Sequence, residues 1–347
     1  MNSLGFKRAI VNTIKETLED ETVMHPRVIC LGEILFDRIS NQPGLPLESV
    51  TSWTSYPGGA PANVACALTK LGTPSAFVGC VGEDELGRSL IDLLNSIQVD
   101  TSGIQTYPAP TRTVLVLRSE TGDRSFVAFG DKRDTTEFAD THLNADRIPV
   151  ELFQHADYLV IGTLLLAYPE SRAAIERALE LCEQFFVKVV LDVNWRPVFW
   201  NDQSIAPGMI HNLIKRADYL KLAEEEAEWL FDTTDPGVIA HRLESLEGVL
   251  VTAGEKGCAY CLSQKEGKVP AFSIEVEDTT GAGDSFLAGF VHQLCQHQLA
   301  EVKEDADRIV QYASAAGALT TMRPGAIDAQ PTGAEVDAFL FLHSQGG

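Results

Sequence analysis

The chain has 347 residues, 45% of them hydrophobic, enough for one large α/β domain or two smaller ones. Its 49 acidic residues against 27 basic ones give a net charge of −22, which disfavours duplex nucleic acid and anionic membranes as partners. No apolar run is long enough to span a bilayer, whereas a nucleotide is still admissible, because helix N-termini and one or two basic side chains can hold it locally.

Residues 1–24 read as an N-terminal extension. Leu4, Ile10, Val11, Ile14 and Leu18 make a short amphipathic pattern with no continuous apolar region behind it, so the segment is not a secretory signal. The globular pattern begins just after Met24, and a single unit over 25–340 is expected. Through it, short runs rich in Val, Ile and Leu (Val28 to Ile34, Ala76 to Val81, Tyr158 to Gly162, Lys188 to Val193, Tyr219 to Leu222, Val249 to Thr252) suit strands buried on both faces. Helical patterns such as Pro61 to Leu71, Glu85 to Ser96, Ser171 to Glu183 and Ile309 to Leu319 alternate with them. This predicts an α/β fold with a central, mostly parallel sheet flanked by helices. Residues 38–57 and 110–130 break the alternation and read as β-hairpins, forming a small inserted β-lid. The seven cysteines lie mostly in apolar segments and, with an odd count, are expected to be free thiols of a cytoplasmic protein. Cys258 and Cys261 have the spacing of a redox or zinc pair but no second pair nearby, and read as buried small hydrophobes.

Two glycine turns carry the chemistry. In Asp278-Thr279-Thr280-Gly281-Ala282-Gly283-Asp284-Ser285-Phe286, small residues lead into the apolar face Phe286, Leu287, Phe290, Val291 and Leu294. A helix start of this kind gathers unpaired N–H groups and the positive end of the helix dipole, and so suits an anionic phosphoryl group. A plain phosphate nest would avoid the negative charge of Asp284; accepting a proton from a hydroxyl that attacks phosphorus explains it. The second turn, Gly58-Gly59-Ala60-Pro61-Ala62-Asn63, also opens a helix, with Pro61 in the first turn and Asn63 offering an amide to a polyol. Asp37, at the end of the first strand run, would accept hydrogen bonds from vicinal hydroxyls or serve as a plain turn residue.

Together these segments resemble the ribokinase-like sugar kinases, the phosphofructokinase-B (PfkB) group, from about residue 27 to 335. Asp278 to Phe286 is similar to that family's C-terminal signature and Gly58 to Ala65 to its N-terminal one. Val251 to Cys258 resembles its nucleotide-side turn and Thr320 to Ala326 its late loop. Gly58 to Ala65, Ala109-Pro110-Thr111-Arg112-Thr113 and Asp192 to Trp200 resemble the bacterial, especially cyanobacterial, and plant fructokinases within it. The resemblance implies ATP-dependent transfer to the 6-hydroxyl of D-fructose, with 2-keto-3-deoxygluconate, ribose or a catalytically silent regulator as alternatives. It implies Asp284 as base and the amides of Gly281, Ala282, Gly283 and Asp284 as an anion hole. Sugar contacts would come from Asp37, Gly58, Gly59, Asn63, Arg112 and Arg196, the two arginines being open to a structural ion-pair role instead. The ATP and Mg2+ side would be Lys221, Glu226, Thr252, Gly254 and Gly257, although Ala223 stands where many members carry the Asn of an Asn-x-x-Glu motif. Asp278 and Thr280 match positions associated with a monovalent cation, K+. A homodimer through the β-lid is expected, with Trp53 and Phe126 as exposed apolar residues there.

Overall fold

The computed structural model describes residues 25–119, 124–130, 133–297 and 299–344. The N-terminal extension expected over residues 1–24, and the turn expected at the tip of the second hairpin (120–123), lie outside the described residues.

In chain order the strands are β1 (Val28–Leu31), β2 (Leu35–Ser40), β3 (Trp53–Gly58), β4 (Ser75–Gly82), β5 (Asp100–Tyr107), β6 (Thr113–Arg118), β7 (Arg124–Phe129), β8 (Tyr158–Ile161), β9 (Lys188–Asp192), β10 (Tyr219–Ala223), β11 (Gly248–Thr252), β12 (Cys258–Leu262) and β13 (Lys265–Val269). Nine of them form one sheet in the order β13-β12-β11-β10-β9-β8-β1-β4-β5. Pairing is parallel from β11 across to β5, and only the β11–β12 and β12–β13 pairings, at one edge, are antiparallel. The principal helices are α1 (Ala60–Leu71), α2 (Glu85–Ser96), α3 (Pro169–Phe185), α4 (Ala206–Ile214), α5 (Glu224–Phe231), α6 (Ala282–Gln296), α7 (Ala306–Thr321) and α8 (Gly333–Ser344).

Strand side chains alternate between two cores, as a two-faced sheet requires. Ile29 and Leu31 of β1 join the core under α3 and α4, whereas Val28 and Cys30 join the one under α1, α2, α6, α7 and α8. The α/β layering expected from the sequence is therefore present. All seven cysteines are free and buried.

The smaller sheet has the order β3-β2-β6-β7. Both expected hairpins occur, β2 with β3 and β6 with β7, and they are joined by parallel pairing of β2 with β6. One expectation needs correcting here. The first apolar run is not one strand ending at Asp37: β1 stops at Leu31, the chain leaves the main sheet at Gly32-Glu33-Ile34, and Asp37 lies inside β2. At the departure the backbone packs closely on α1, since a Cβ at Gly32 would stand 2.3 Å from Pro61 Cγ, and Leu35 onwards pairs with β3 instead.

Candidate active site

The carboxyl ends of the parallel strands and the starts of α1 and α6 converge on one cleft, where open α/β sheets bind ligands. α6 begins at Gly281, whose φ of 75° is left-handed, and no side chain caps it. The amides of Gly281, Gly283 and Asp284 have no main-chain partner among the described residues, whereas Ala282 N–H donates to the Thr279 carbonyl at 3.3 Å. Three of the four expected anion-hole amides are therefore open, and Ala282 is not.

The two glycine turns meet directly. The Asn63 amide, in the first turn of α1, donates to Asp284 Oδ2 at 2.8 Å. Asp284 is half-buried, and burial raises its carboxyl above the usual aspartate range. The Asn63 hydrogen bond opposes that rise, Asp192 adds to it, and Lys221 and Arg196 oppose it. A carboxyl raised in this direction would serve as a general base in neutral solution better than an ordinary aspartate.

Lys221, on β10, is buried and donates to Asp192 Oδ2 on neighbouring β9 at 2.7 Å. Burial acts to lower its ammonium, but Asp192, Glu226 and Asp284 outweigh that and hold it above the ordinary lysine range. A Cβ at Gly283 would stand 3.3 Å from Lys221 Nζ, so this cation lies beside the open amides of α6. Asp192 is a member of the site that the sequence reading did not single out.

Glu226 is buried, and main-chain donors occupy both of its carboxylate oxygens. Oε1 accepts from Trp195 N–H at 2.6 Å and Oε2 from Ala223 N–H at 2.8 Å. It thus caps α5 and fixes the turn after β9, where Asn194 takes a φ of 40°. That turn aims Arg196 at the smaller sheet, with its guanidinium 5.5 Å from the Phe126 ring centroid.

Thr252, Gly254 and Gly257 line a cleft of about 790 Å3 together with Phe272, Ile274, Ala318, Ala282 and Gly283. Its largely apolar walls lead from the end of β11 to the start of α6, a lining that suits a small organic ligand held by a few polar groups. A separate cavity of about 530 Å3, between Gly237, His241, Glu247 and Glu266, lies at the strand beginnings, away from both glycine turns.

Asp278 ties the late loop to α6. Its Oδ1 accepts from Thr280 N–H and Oγ1 at 3.0 and 2.7 Å, and its Oδ2 from Gly325 N–H at 3.0 Å. On the sugar side, a Cβ at Gly58 would stand 2.7 Å from Asp37 Oδ2, so Asp37 lies against that turn. Gly59 takes a φ of 105°, and a Cβ there would stand 2.5 Å from the Glu33 carbonyl.

Arg112 departs from the expected sugar contact. It is 1% exposed; its Nε and Nη2 donate to Asp140 at 2.6 and 2.7 Å, and Nη1 and Nη2 also reach Thr135. The rings of Phe129, Phe138, Tyr168 and Phe199 surround the guanidinium at 4.6–5.2 Å. With its donors committed and its planar faces covered, Arg112 is a buried structural cation between the smaller sheet and the main domain.

The sheet order, the two glycine-led helix starts and the carboxylate between them define a carbohydrate kinase. The pfkB family carbohydrate kinase model matches residues 25–333, and the chain belongs to that family. Fructokinase-1 of Zea mays is 34% identical over 317 residues, covering 89% of this chain and 96% of its own length. Fructokinase-2 of Oryza sativa subsp. japonica is 32% identical over 310 residues, covering 88% and 91%. Among solved structures, the ATP-bound fructokinase of Xylella fastidiosa superposes with a TM-score of 0.81 at 26% identity, covering 91% of this chain and 98% of that one. A double mutant of the Vibrio cholerae O395 fructokinase, bound to fructose, ADP and potassium, gives 0.79 at 30% identity, covering 91% and 98%.

Proposed function

We propose that this chain transfers the γ-phosphoryl group of ATP to the 6-hydroxyl of D-fructose. The observation that carries the reading is the Asn63–Asp284 hydrogen bond, which joins the two helix starts into one site at the end of an apolar cleft. Fructose would lie between Asp37, Gly58, Gly59 and Asn63, with Arg196 reaching it from the turn after β9. The adenine would enter the cleft past Thr252, Gly254 and Gly257. Asp284 would orient the hydroxyl and take its proton, while the open amides of Gly281, Gly283 and Asp284, with Lys221, would meet the charge on the phosphoryl oxygens. Phosphoryl transfer has a loose transition state, so in-line positioning and charge stabilisation count for more than base strength.

Magnesium, bound to the nucleotide, would neutralise phosphate charge. The described residues hold no cluster of three or more metal-ligating side chains, which suits an ion kept mainly by phosphates and water. Glu226, with both oxygens accepting main-chain hydrogen bonds, would act on it only through water. Asp278 and Thr280 supply oxygen donors alone, which suits potassium. The smaller sheet would serve as the lid and as a homodimer interface, with exposed Phe126 and half-buried Trp53 on it.

A coupled ADP-release assay over fructose, ribose, 2-keto-3-deoxygluconate and other sugars tests the reading. Fructose is expected to give the highest kcat/KM, and EDTA to abolish turnover. A preference for another sugar would displace fructose, and no ADP release with any sugar would favour the regulatory alternative.

A further inference from the structure

We propose that Glu33 is a positioning residue for the sugar: its carboxyl group holds the Gly58-Gly59-Ala60 turn, and through it Asn63, in register with Asp284. The inference rests on the kinase reading above. Glu33 lies where the chain crosses from the main sheet to the smaller one, and it is 4% exposed. α1 has a glycine at its N-cap and no capping side chain of its own. Glu33 supplies the missing acceptor from another part of the chain, with Oε1 taking the Ala60 N–H at 3.1 Å.

The contact is one of several along the same crossing. Gly32 packs on Pro61, the Glu33 carbonyl lies where a Cβ of Gly59 would be, and Asp37 presses on Gly58. The 32–37 segment is thus a template for the 58–61 turn, and Glu33 contributes its side-chain hydrogen bond. Asn63 follows that turn directly, with its main-chain N–H bonded to the Gly59 carbonyl at 2.9 Å. A shift of Ala60 therefore carries the Asn63 amide with it.

The charged groups facing Glu33 are acidic: Asp284 from α6, and Asp140 from the turn beyond β7, whose charge Arg112 balances. Burial raises the Glu33 carboxyl to about 8 against the hydrogen bonds it accepts from its own N–H and from Ala60, with the Asp140 and Asp284 charges adding to the rise, so it is mostly neutral at pH 7. A neutral carboxyl still accepts from Ala60 and adds no charge beside the base. Ionised, it places a second negative charge near Asp284 and the incoming phosphoryl group.

The test is steady-state kinetics of the full chain with Glu33→Ala and Glu33→Gln, varying fructose and ATP separately. Glu33→Ala is expected to raise the KM for fructose roughly 10-fold, the loss typical of a helix cap, with the KM for ATP unchanged. Glu33→Gln keeps the acceptor and is expected to match wild type at pH 7. In wild type, kcat/KM for fructose is expected to fall as pH rises through about 8, and in Glu33→Gln that fall is absent. An unchanged fructose KM in Glu33→Ala overturns the proposal, as does an equal loss for both substrates. If Glu33→Ala does not fold, the Glu33→Gln profile decides, and an alkaline fall identical to wild type overturns it. Wild type inactive with fructose would instead remove the fructose reading on which the proposal rests, so the two failures are distinguishable.

Discussion

Asn63 and Asp284, 221 positions apart in the chain, are hydrogen-bonded at 2.8 Å, and this contact makes one site of two helix starts. Asp284 is held there against its own preference, since burial raises its carboxyl. Two opposite effects of Asp284→Asn are expected. Loss of the proposed base should lower kcat by roughly 10²–10⁴. Stability should move the other way. A carboxyl raised in the folded state favours folding below its unfolded value, and that contribution is lost as pH rises through the folded value. Above the unfolded value the raised carboxyl therefore costs folding free energy, and the neutral amide does not. Thermal melts should show a higher Tm for the variant at pH 7, with the gap closing as the pH is lowered into the aspartate range. A lower Tm at pH 7 would contradict the account.

Lys221 has a structural and a chemical role that one double variant separates. Lys221→Met leaves Asp192 buried without its cation, which should cost about 3–5 kcal/mol in urea unfolding. Adding Asp192→Asn removes the stranded charge, so most of that stability should return. Activity should not return, because the cation beside Gly283 is still missing. Recovery of both stability and turnover in the double variant would mean that Lys221 only neutralises Asp192.

The Arg112–Asp140 pair gives the converse expectation. Arg112 lies among four rings and does not face the cleft. Arg112→Met should lower unfolding free energy by about 3–5 kcal/mol, the usual loss when one partner of a buried pair is removed. Arg112→Lys keeps the charge but not the bidentate geometry, and should lose part of this. At a temperature where the lysine variant is folded, its fructose KM should stay near wild type. A large KM rise without a fall in Tm would restore Arg112 as a sugar contact.

Local signals account for what the sequence made legible. The parallel core was readable because most of its strands are buried on both faces and are rich in Val, Ile and Leu. The two helix starts were readable because glycine and proline punctuate them, and Asp284 stood out as a charge with no local reason. Pairings between distant segments were not readable. β5, carrying Ser102, Gly103 and Gln105, has no apolar run to mark it, and its pairing with β4 comes from the tertiary fold. Arg112 looked like a lid residue because Asp140, 28 positions on, gives no sign in sequence that it will meet it. Glu33 and Asp192 did leave a trace, since each is a carboxylate at the end of an apolar strand run and must find a partner there. Asp37 drew attention by the same signal, and the chain's change of sheet at Gly32 moved it to a different strand from the one expected.

Gly281 and Gly283 stand two residues apart at the start of α6, and alanine should affect stability at the two positions in opposite ways. At Gly281 the backbone is left-handed, and a Cβ would stand 3.0 Å from Ala326 Cβ and 3.1 Å from its Cα. The conformation alone should cost about 1–2 kcal/mol, and displacing the 326 loop strains the Asp278–Gly325 contact beside it. Gly281→Ala is therefore expected to lower both Tm and turnover. At Gly283 the added methyl meets only the end of Lys221, at 3.3 Å, which a flexible side chain can yield. Alanine is also the better helix residue by about 1 kcal/mol, so the Tm of Gly283→Ala should hold or rise. Its turnover should nevertheless fall, because the methyl occupies the approach of the phosphoryl group and displaces the ammonium. Melting curves and ADP release on the two variants check this pair of outcomes. A stable and fully active Gly283→Ala would show that Lys221 is not stationed for the transferred group.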